Sequence, residues 1–470
     1  MNYFDKKHFP FIALFIIVFI SRIPFLSAGY GVEEDSWGIA LAAFHTKFSG
    51  IYEPSRFPGH PVQELIYSAF WGYGPILFNG LCAFFSAVGV VFLALILKHL
   101  QFKHFFIAAL AFAFIPVYYI SSTYTIDFVW TEAFVLISIY SLLKDKLIIC
   151  GIFLGLALGC RITSGAILLP FMIIIWKQEN IKQNIINLFK ISVPMTVLVL
   201  LAFIPLFKQF GFSFLMYYDQ FPYPPFTKVL YKMIVGVFGF VGVMAIGISL
   251  FMVLKNRNKN IFGELFNRKL DKKIILASII LIILYVVSYF RLPQKSGYMI
   301  PILPFLILLS GYYLTSKQFK FLCVAFIISP FIFSINLTDK LRGASYSKLA
   351  ITFKISGQEL FFDVFSGPIF SDYSKRIQKM KYTEQVIEKT KSINSKTVII
   401  SGWWYNEIMV TMIPLEKNNY VNFESYIDSV TIHNYIKNNY EIYYLPEQNI
   451  YNDQIYNMNI TNTVTKEFNQ

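Results

Sequence analysis

FPFIALFIIVFISRIPFLSAGYGVEEDSWGIALAA, residues 9–43, runs from an apolar stretch straight into three consecutive carboxylates, Glu33, Glu34 and Asp35. The apolar part is long enough for a bilayer-spanning helix. Charge near or inside a bilayer is costly, so acids at the mouth of such a helix mark where function is to be sought. From Asp35 onward Ile39, Ala42 and Ala43 recur at helical spacing, which predicts a second helix with Glu34 or Asp35 at its N-terminus, where exposed amides favour a carboxylate. A carboxylate held there stays ionised, as a general base or a cation ligand must. Helix capping alone is the other reading for any one of the acids.

Working outward, the same apolar character recurs along most of the chain. Of the 470 residues 56% are apolar and only 14% charged, which makes this a polytopic membrane protein with a smaller soluble part. The sequence predicts about eleven spans, near 9–27, 66–97, 105–121, 127–143, 147–160, 163–176, 191–207, 229–254, 274–289, 298–315 and 320–336. The second is overlong and is expected to begin as a re-entrant or interfacial stretch near Tyr67 to Tyr73. The fifth and sixth are short and meet at Arg161, as helices that line a cavity do. The first run continues to Leu26 without a small-residue cleavage site, so it reads as a retained helix and not a removed signal peptide.

Orientation follows from the loops. With the N-terminus inside, the cytoplasmic loops collect most of the cations, among them Lys255, Arg257, Lys259, Arg268, Lys269, Lys272 and Lys273. An odd number of spans then places the C-terminal part outside. The net charge of +14 is accounted for by these flanks and by anionic lipid, so nucleic-acid binding is not supported. The four cysteines lie in apolar segments without CxxC spacing and read as small core residues. Beyond Asn336 the chain turns polar. "KTVIISGWWYNEIMV" and "NNYEIYYLPEQ" read as strands and "FESYIDSVTIHNYIKNN" as a helix, which predicts a small extracytoplasmic α/β domain over 337–470 after a membrane domain over 1–336. "SGWWYN" reads either as a binding edge or as aromatic packing against the membrane domain.

Three outer features carry candidate chemistry. The first is the loop over 28–65 with its acid trio. The second is "PSRFPGHP" in that loop, where prolines and a glycine hold Arg56 and His60 in a rigid turn; a guanidinium so held suits bidentate phosphate binding, and covering a helix end is the alternative. The third is a set of polar residues at outer helix ends: Tyr124, Asp127, Arg161, Arg291, Lys295 and Tyr298. Arg161 needs a wet site or an acid, with Asp127 or Glu132 as structural partner or substrate as the alternative. Arg291 and Lys295 fall at the height of a lipid-linked phosphate, where two cations match a phosphate or diphosphate; anchoring the helix end at the headgroups is their other role. Acids on one wall and bases on another suit group transfer from a lipid phosphate. A carrier or flippase for a lipid-linked sugar is the competing class, although alternating access would leave more charge deep in the helices.

These motifs together resemble the GT-C superfamily of membrane glycosyltransferases, in the branch of the protein O-mannosyltransferases and the aminoarabinose transferases. "EEDSWGIALAA" stands where the family bears its catalytic acid, with Asp35 the best match and Glu34 beside it. "Tyr124 to Asp127" is similar to the family's Y-x-x-D, "GLALGCRITSGAILLP" to its short helix pair with a basic residue, here Arg161, and "QKSGYMIPILP" to its late motif, with Lys295, Tyr298, Pro301 and Pro304. The resemblance covers about residues 10–336. It implies an inverting transfer of a hexose or pentose from a polyprenyl-phosphate sugar to a hydroxyl acceptor in an envelope lipid, glycan or protein, on the outer face. Asp35 or Glu34 would be the base, and Glu33, Arg56, His60, Tyr124, Asp127, Arg161, Arg291, Lys295 and Tyr298 would bind substrate. No cofactor is required by it; since some relatives use a divalent metal, Mg²⁺ or Mn²⁺ at Glu34 and Asp35 remains the alternative. No Gly-Lys-Ser/Thr phosphate loop is present, so nucleotide is not expected. The Asn, Lys and Ile content points to a prokaryotic plasma membrane as the location.

Overall fold

The computed structural model describes residues 8–176, 180–215, 223–255, 263–337, 350–355, 358–416, 418–458 and 465–468; Arg257 and Lys259 lie outside these. The chain is mostly helical. Among the described residues five segments are long and apolar enough to cross a bilayer: α4 (Gly74–His99), α10 (Ile181–Phe210), α11 (Phe226–Lys255), α12 (Lys272–Arg291) and the stretch Ser296–Tyr313 that ends in α13 (Leu303–Tyr313). Shorter apolar helices are α1 (Phe9–Arg22), α5 (Phe105–Phe114), α7 (Phe128–Leu143), α8 (Leu147–Cys160) and α9 (Leu168–Ile175), with α6 (Pro116–Ser121) and α14 (Ser316–Ile328) completing this part.

Several spans differ from their sequence limits for local reasons. The run over 66–97 is two helices, α3 (Pro61–Ala69) and α4, separated at Gly72 and Gly74, whose φ values of 106° and 73° only glycine adopts readily. Pro116 divides 105–121 into α5 and α6. The run near 320–336 stops at Ile328, and Ser334–Leu337 is already a strand, β1. As expected, the backbone at Arg161 leaves the helix (φ −150°, ψ 115°) before a 3₁₀ turn over Ile162–Ile167 and α9.

Packing explains the placement of that turn. α8 carries Gly151, Gly155 and Gly159, and a Cβ on Gly151 would lie 2.2 Å from the Ile191 carbonyl oxygen of α10; on Gly159 it would lie 2.4 Å from Val62 of α3. Small residues on one stripe let these backbones approach, as helices in lipid do. α7 is enclosed along nearly its whole length, whereas α10 and α12 turn Val193, Leu200, Leu201, Ile283 and Val287 outward, the pattern of a lipid-facing rim around a packed centre.

The polar part forms two small sheets. β1 (Ser334–Leu337), β2 (Ile351–Ile355) and β3 (Gln358–Asp363) pair antiparallel in the order β1-β3-β2. β4 (Thr397–Ile400), β5 (Val421–Glu424), β6 (Glu441–Tyr444) and β7 (Thr465–Glu467) form a parallel sheet in the order β5-β4-β6-β7, served by α15 (Pro368–Thr390), α16 (Tyr405–Met412), α17 (Ser429–Lys437) and α18 (Gln448–Tyr456). The stretch read from sequence as one helix over 423–439 is thus strand to Glu424 and helix from Ser429, because Val421 and Phe423 alternate inward against β4. Trp404 is buried against Tyr382 of α15, so it packs inside the C-terminal unit and not, as read from "SGWWYN", against the membrane domain.

Candidate active site

Glu33 is extended (φ −80°, ψ 147°) and precedes α2 (Glu34–Ser49), whose first turn holds Glu34 and Asp35. Successive helical positions point about 100° apart, so neighbouring acids face different partners. Asp35 and Glu33 both meet the Lys295 ammonium, and the Asp35 carboxylate also meets Arg56 Nε at 3.2 Å. Glu34 turns instead to the C-terminal unit, where the Asn406 amide donates to it at 3.4 Å.

Arg56 joins this group to a second one. Its Nη2 donates to Asp127 Oδ1 at 2.6 Å, Arg161 Nη1 donates to Asp127 Oδ2 at 2.5 Å, and His60 Nδ1 lies 3.7 Å from the same oxygen. Tyr298 and Phe128 flank the Arg161 guanidinium, 5.0 and 4.7 Å from their ring centres. Loops from four distant parts of the chain therefore converge on one cluster of three carboxylates (Glu33, Asp35, Asp127) and three fixed cations (Arg56, Arg161, Lys295), which balance in charge.

Burial alone would raise the pKa of Asp35, but the charges of Arg56 and Lys295 outweigh it and hold the group down to about 2. The same pairing, with Asp35 and then Glu33, raises the pKa of Lys295 against its own burial. His60 is pushed down by burial, so it is neutral at pH 7. Its Nδ1 donates to the Cys160 carbonyl at 2.5 Å, which leaves the buried Nε2 as an acceptor with no hydrogen bond among the described residues. Arg56 Nη1 is a buried donor in the same condition.

Not every sequence candidate joins. Arg291 ends α12 exposed and forms no ion pair among the described residues, whereas Lys295 is held by Glu33 and Asp35. Tyr124 is buried against Gly31, with its ring centre 5.9 Å from the Arg376 guanidinium, and makes no ion-pair contact in the cluster among the described residues. Arg161 takes Asp127 and not Glu132; both Glu132 oxygens are buried without a hydrogen bond among the described residues. Among the described residues no group of three or more His, Cys, Asp or Glu is placed to hold a metal; of the two acids read as metal ligands, Asp35 faces Arg56 and Lys295 and Glu34 turns toward Asn406.

Glu64 was not singled out from the sequence, yet it shapes the site. Buried at the start of α3, it accepts from the Ser55 and His60 amides at 2.9 Å each and from the Ser55 and Tyr52 hydroxyls, which ties down both ends of the turn that presents Arg56. An acid four residues beyond the helix-capping His60 is the signal that could have found it. Glu64→Ala strips four donors at once and is expected to lose about 3 kcal/mol, with Glu64→Gln recovering part of it, as read by thermal unfolding in detergent.

No family model matches the chain, and no curated protein does. Solved structures do. ArnT from Cupriavidus metallidurans is similar at 14% identity and TM-score 0.42 in its apo state, and at 16% and 0.44 bound to undecaprenyl phosphate, over 64% of this chain. The chain spans about 58% of the length of ArnT. The oligosaccharyltransferase of Archaeoglobus fulgidus, in complex with Zn and sulfate, is similar over 84% of this chain and 61% of its own at 13% identity and TM-score 0.45. These are partial likenesses of backbone arrangement; the chemistry is read from the chain's own cluster.

Proposed function

We propose that the chain is a multi-pass membrane glycosyltransferase of GT-C type, which moves a sugar from a polyprenyl-phosphate donor to a hydroxyl acceptor with inversion. In this reading it crosses a prokaryotic plasma membrane about eleven times, with the N-terminus cytoplasmic and the catalytic loop and C-terminal unit outside. The observation that carries the reading is one carboxylate, Asp35, set between two cations, Arg56 and Lys295, beside a further, largely buried guanidinium, that of Arg161.

The donor's phosphate binds Lys295 and the unused Nη1 of Arg56, and His60 Nε2 accepts from a donor hydroxyl. The phosphate draws the two cations away from Asp35, which becomes more basic as the site fills. Asp35 then takes the proton of the acceptor hydroxyl while its oxygen attacks the anomeric carbon. The bond from that carbon to the phosphate oxygen breaks, its electron pair goes to phosphate, and the new negative charge is held by Lys295 and Arg56. Asp127 keeps both arginines in place throughout. Glu34, on the other face of the helix turn, lies toward the C-terminal unit, where the Asn406 amide donates to it.

The test is transfer of radiolabel from a panel of synthetic polyprenyl-phosphate sugars to an envelope-lipid fraction by the purified full chain. Label appearing in a new species supports the proposal. Intact donor crossing liposomes, with no label transferred from any donor, supports a carrier instead.

The pH behaviour has a definite sign. Asp35 has a folded-state pKa below its unfolded value of 3.8, so its stabilising contribution is complete above that value and is lost as pH falls toward about 2. In kcat/KM, which reports the free enzyme, no acid limb from Asp35 is expected between pH 8 and about 4.5. A limb near pH 6 would show that a different group is the base.

A further inference from the structure

We propose that α15 is a positioning element for the carboxylates of the site: Arg376 and Lys379 hold together the two loops that present Asp35 and Asp127. The inference rests on the transferase reading for what those carboxylates do.

Arg376 is 1% exposed, and its Nη1 donates to the carbonyls of Phe25 at 3.1 Å and Thr123 at 3.0 Å, while Nη2 donates to Thr123 Oγ1 at 3.0 Å. Phe25 opens the loop that leads to Asp35, and Thr123 opens the loop that leads to Asp127. The two loops touch directly where the Thr125 amide donates to the Tyr30 carbonyl at 2.8 Å. One turn further along α15, Lys379 Nζ donates at 3.1 Å to the carbonyl of Val32, the residue before Glu33. The positions 372, 376 and 379 share a helix face, so a single rigid element reaches both loops.

Each cation has its own counter-ion within the C-terminal unit: Asp372 lies 2.8 Å from Arg376 and Glu407 lies 3.1 Å from Lys379. Their charge is thereby neutralised locally, and what they pass to the loops is a set of charge-assisted hydrogen bonds to backbone oxygens. Met380 stands against Gly29 on the same face, where a Cβ would lie 2.9 Å from its sulfur, so the loop is seated closely on α15 along its length. A carboxylate that must meet a hydroxyl within hydrogen-bond reach is sensitive to displacements near 1 Å, which cost on the order of 10²-fold in rate.

The experiment compares full-length wild type with Lys379→Met and with Lys379→Met/Glu407→Gln, following label transfer, thermal unfolding and backbone hydrogen exchange over residues 28–36 and 122–127. The single variant leaves Glu407 buried without its cation and is expected to unfold earlier. The double variant removes that charge and is expected to regain the unfolding temperature, yet still to lose roughly 10²-fold in kcat, with donor KM within about threefold and faster exchange in residues 28–36. Recovery of kcat and of exchange protection together with stability in the double variant would make Lys379 a counter-ion only and overturn the proposal. Exchange decides the clamp without reference to chemistry. If wild type transfers no label from any donor, the functional reading fails, and the role of α15 in catalysis fails with it.

Discussion

Asp35→Asn is expected to reduce sugar transfer about 10³-fold, the scale of losing a positioned general base. The amide keeps the size of the side chain and can still accept from Lys295 and Arg56, but it cannot take a proton from an acceptor hydroxyl. It also removes one negative charge from a cluster in which three acids balance three cations. Freed of that competitor, Lys295 and Arg56 should hold the donor phosphate as tightly as before or more so. The expected signature is therefore a collapse in kcat with donor KM unchanged or lowered, measured with radiolabelled donor at fixed acceptor. A variant that loses donor binding and keeps kcat would assign Asp35 to anchoring the cations and leave the base elsewhere.

The second large effect is on folding. Asp127 has no exposed side-chain surface and is bonded to both Arg56 and Arg161, with His60 close by. Asp127→Ala leaves Arg161, whose side chain is only 16% exposed, without its acid and is expected to cost about 3 kcal/mol, because an unpaired, largely buried charge is far more costly than a missing pair. Arg56 retains Asp35, so Arg161 carries most of the penalty. Asp127→Ala/Arg161→Met should therefore unfold at a higher temperature than Asp127→Ala alone, a non-additivity expected of residues in one network. Equal unfolding temperatures for the two variants would show that Arg161 reaches water or another acid once Asp127 is gone.

The legible part of the site is the part built from local signals. The acid trio was visible because Glu33, Glu34 and Asp35 interrupt an apolar chain, and the helix that follows was visible because Ile39, Ala42 and Ala43 recur at its period. The break at Arg161 was visible because neither flanking apolar run is long enough alone. Arg291 shows the limit of this reasoning. It and Lys295 are four residues apart and of like charge, yet one ends α12 in the open and the other turns into the cluster, because the backbone leaves the helix after Arg291 and Lys295 is extended. Arg376 and Lys379 show the opposite failure. In sequence they are ordinary cations on a polar helix, and their importance comes from carbonyl oxygens some 253 to 351 residues away.

By itself, then, the sequence determined that this chain forms apolar helices, that a polar α/β unit follows them, and that acids stand at the mouth of the first helix. Each of these follows from hydropathy, helical period or turn chemistry within a few neighbouring residues. Only the tertiary structure decided that Lys295 meets Asp35 across 260 residues, that Arg161 chooses Asp127 over Glu132, and that Glu34 faces away from both. Ion pairs form within a few ångströms, and which charges come that close depends on where helices cross and how their ends are turned, which no local run of residues encodes.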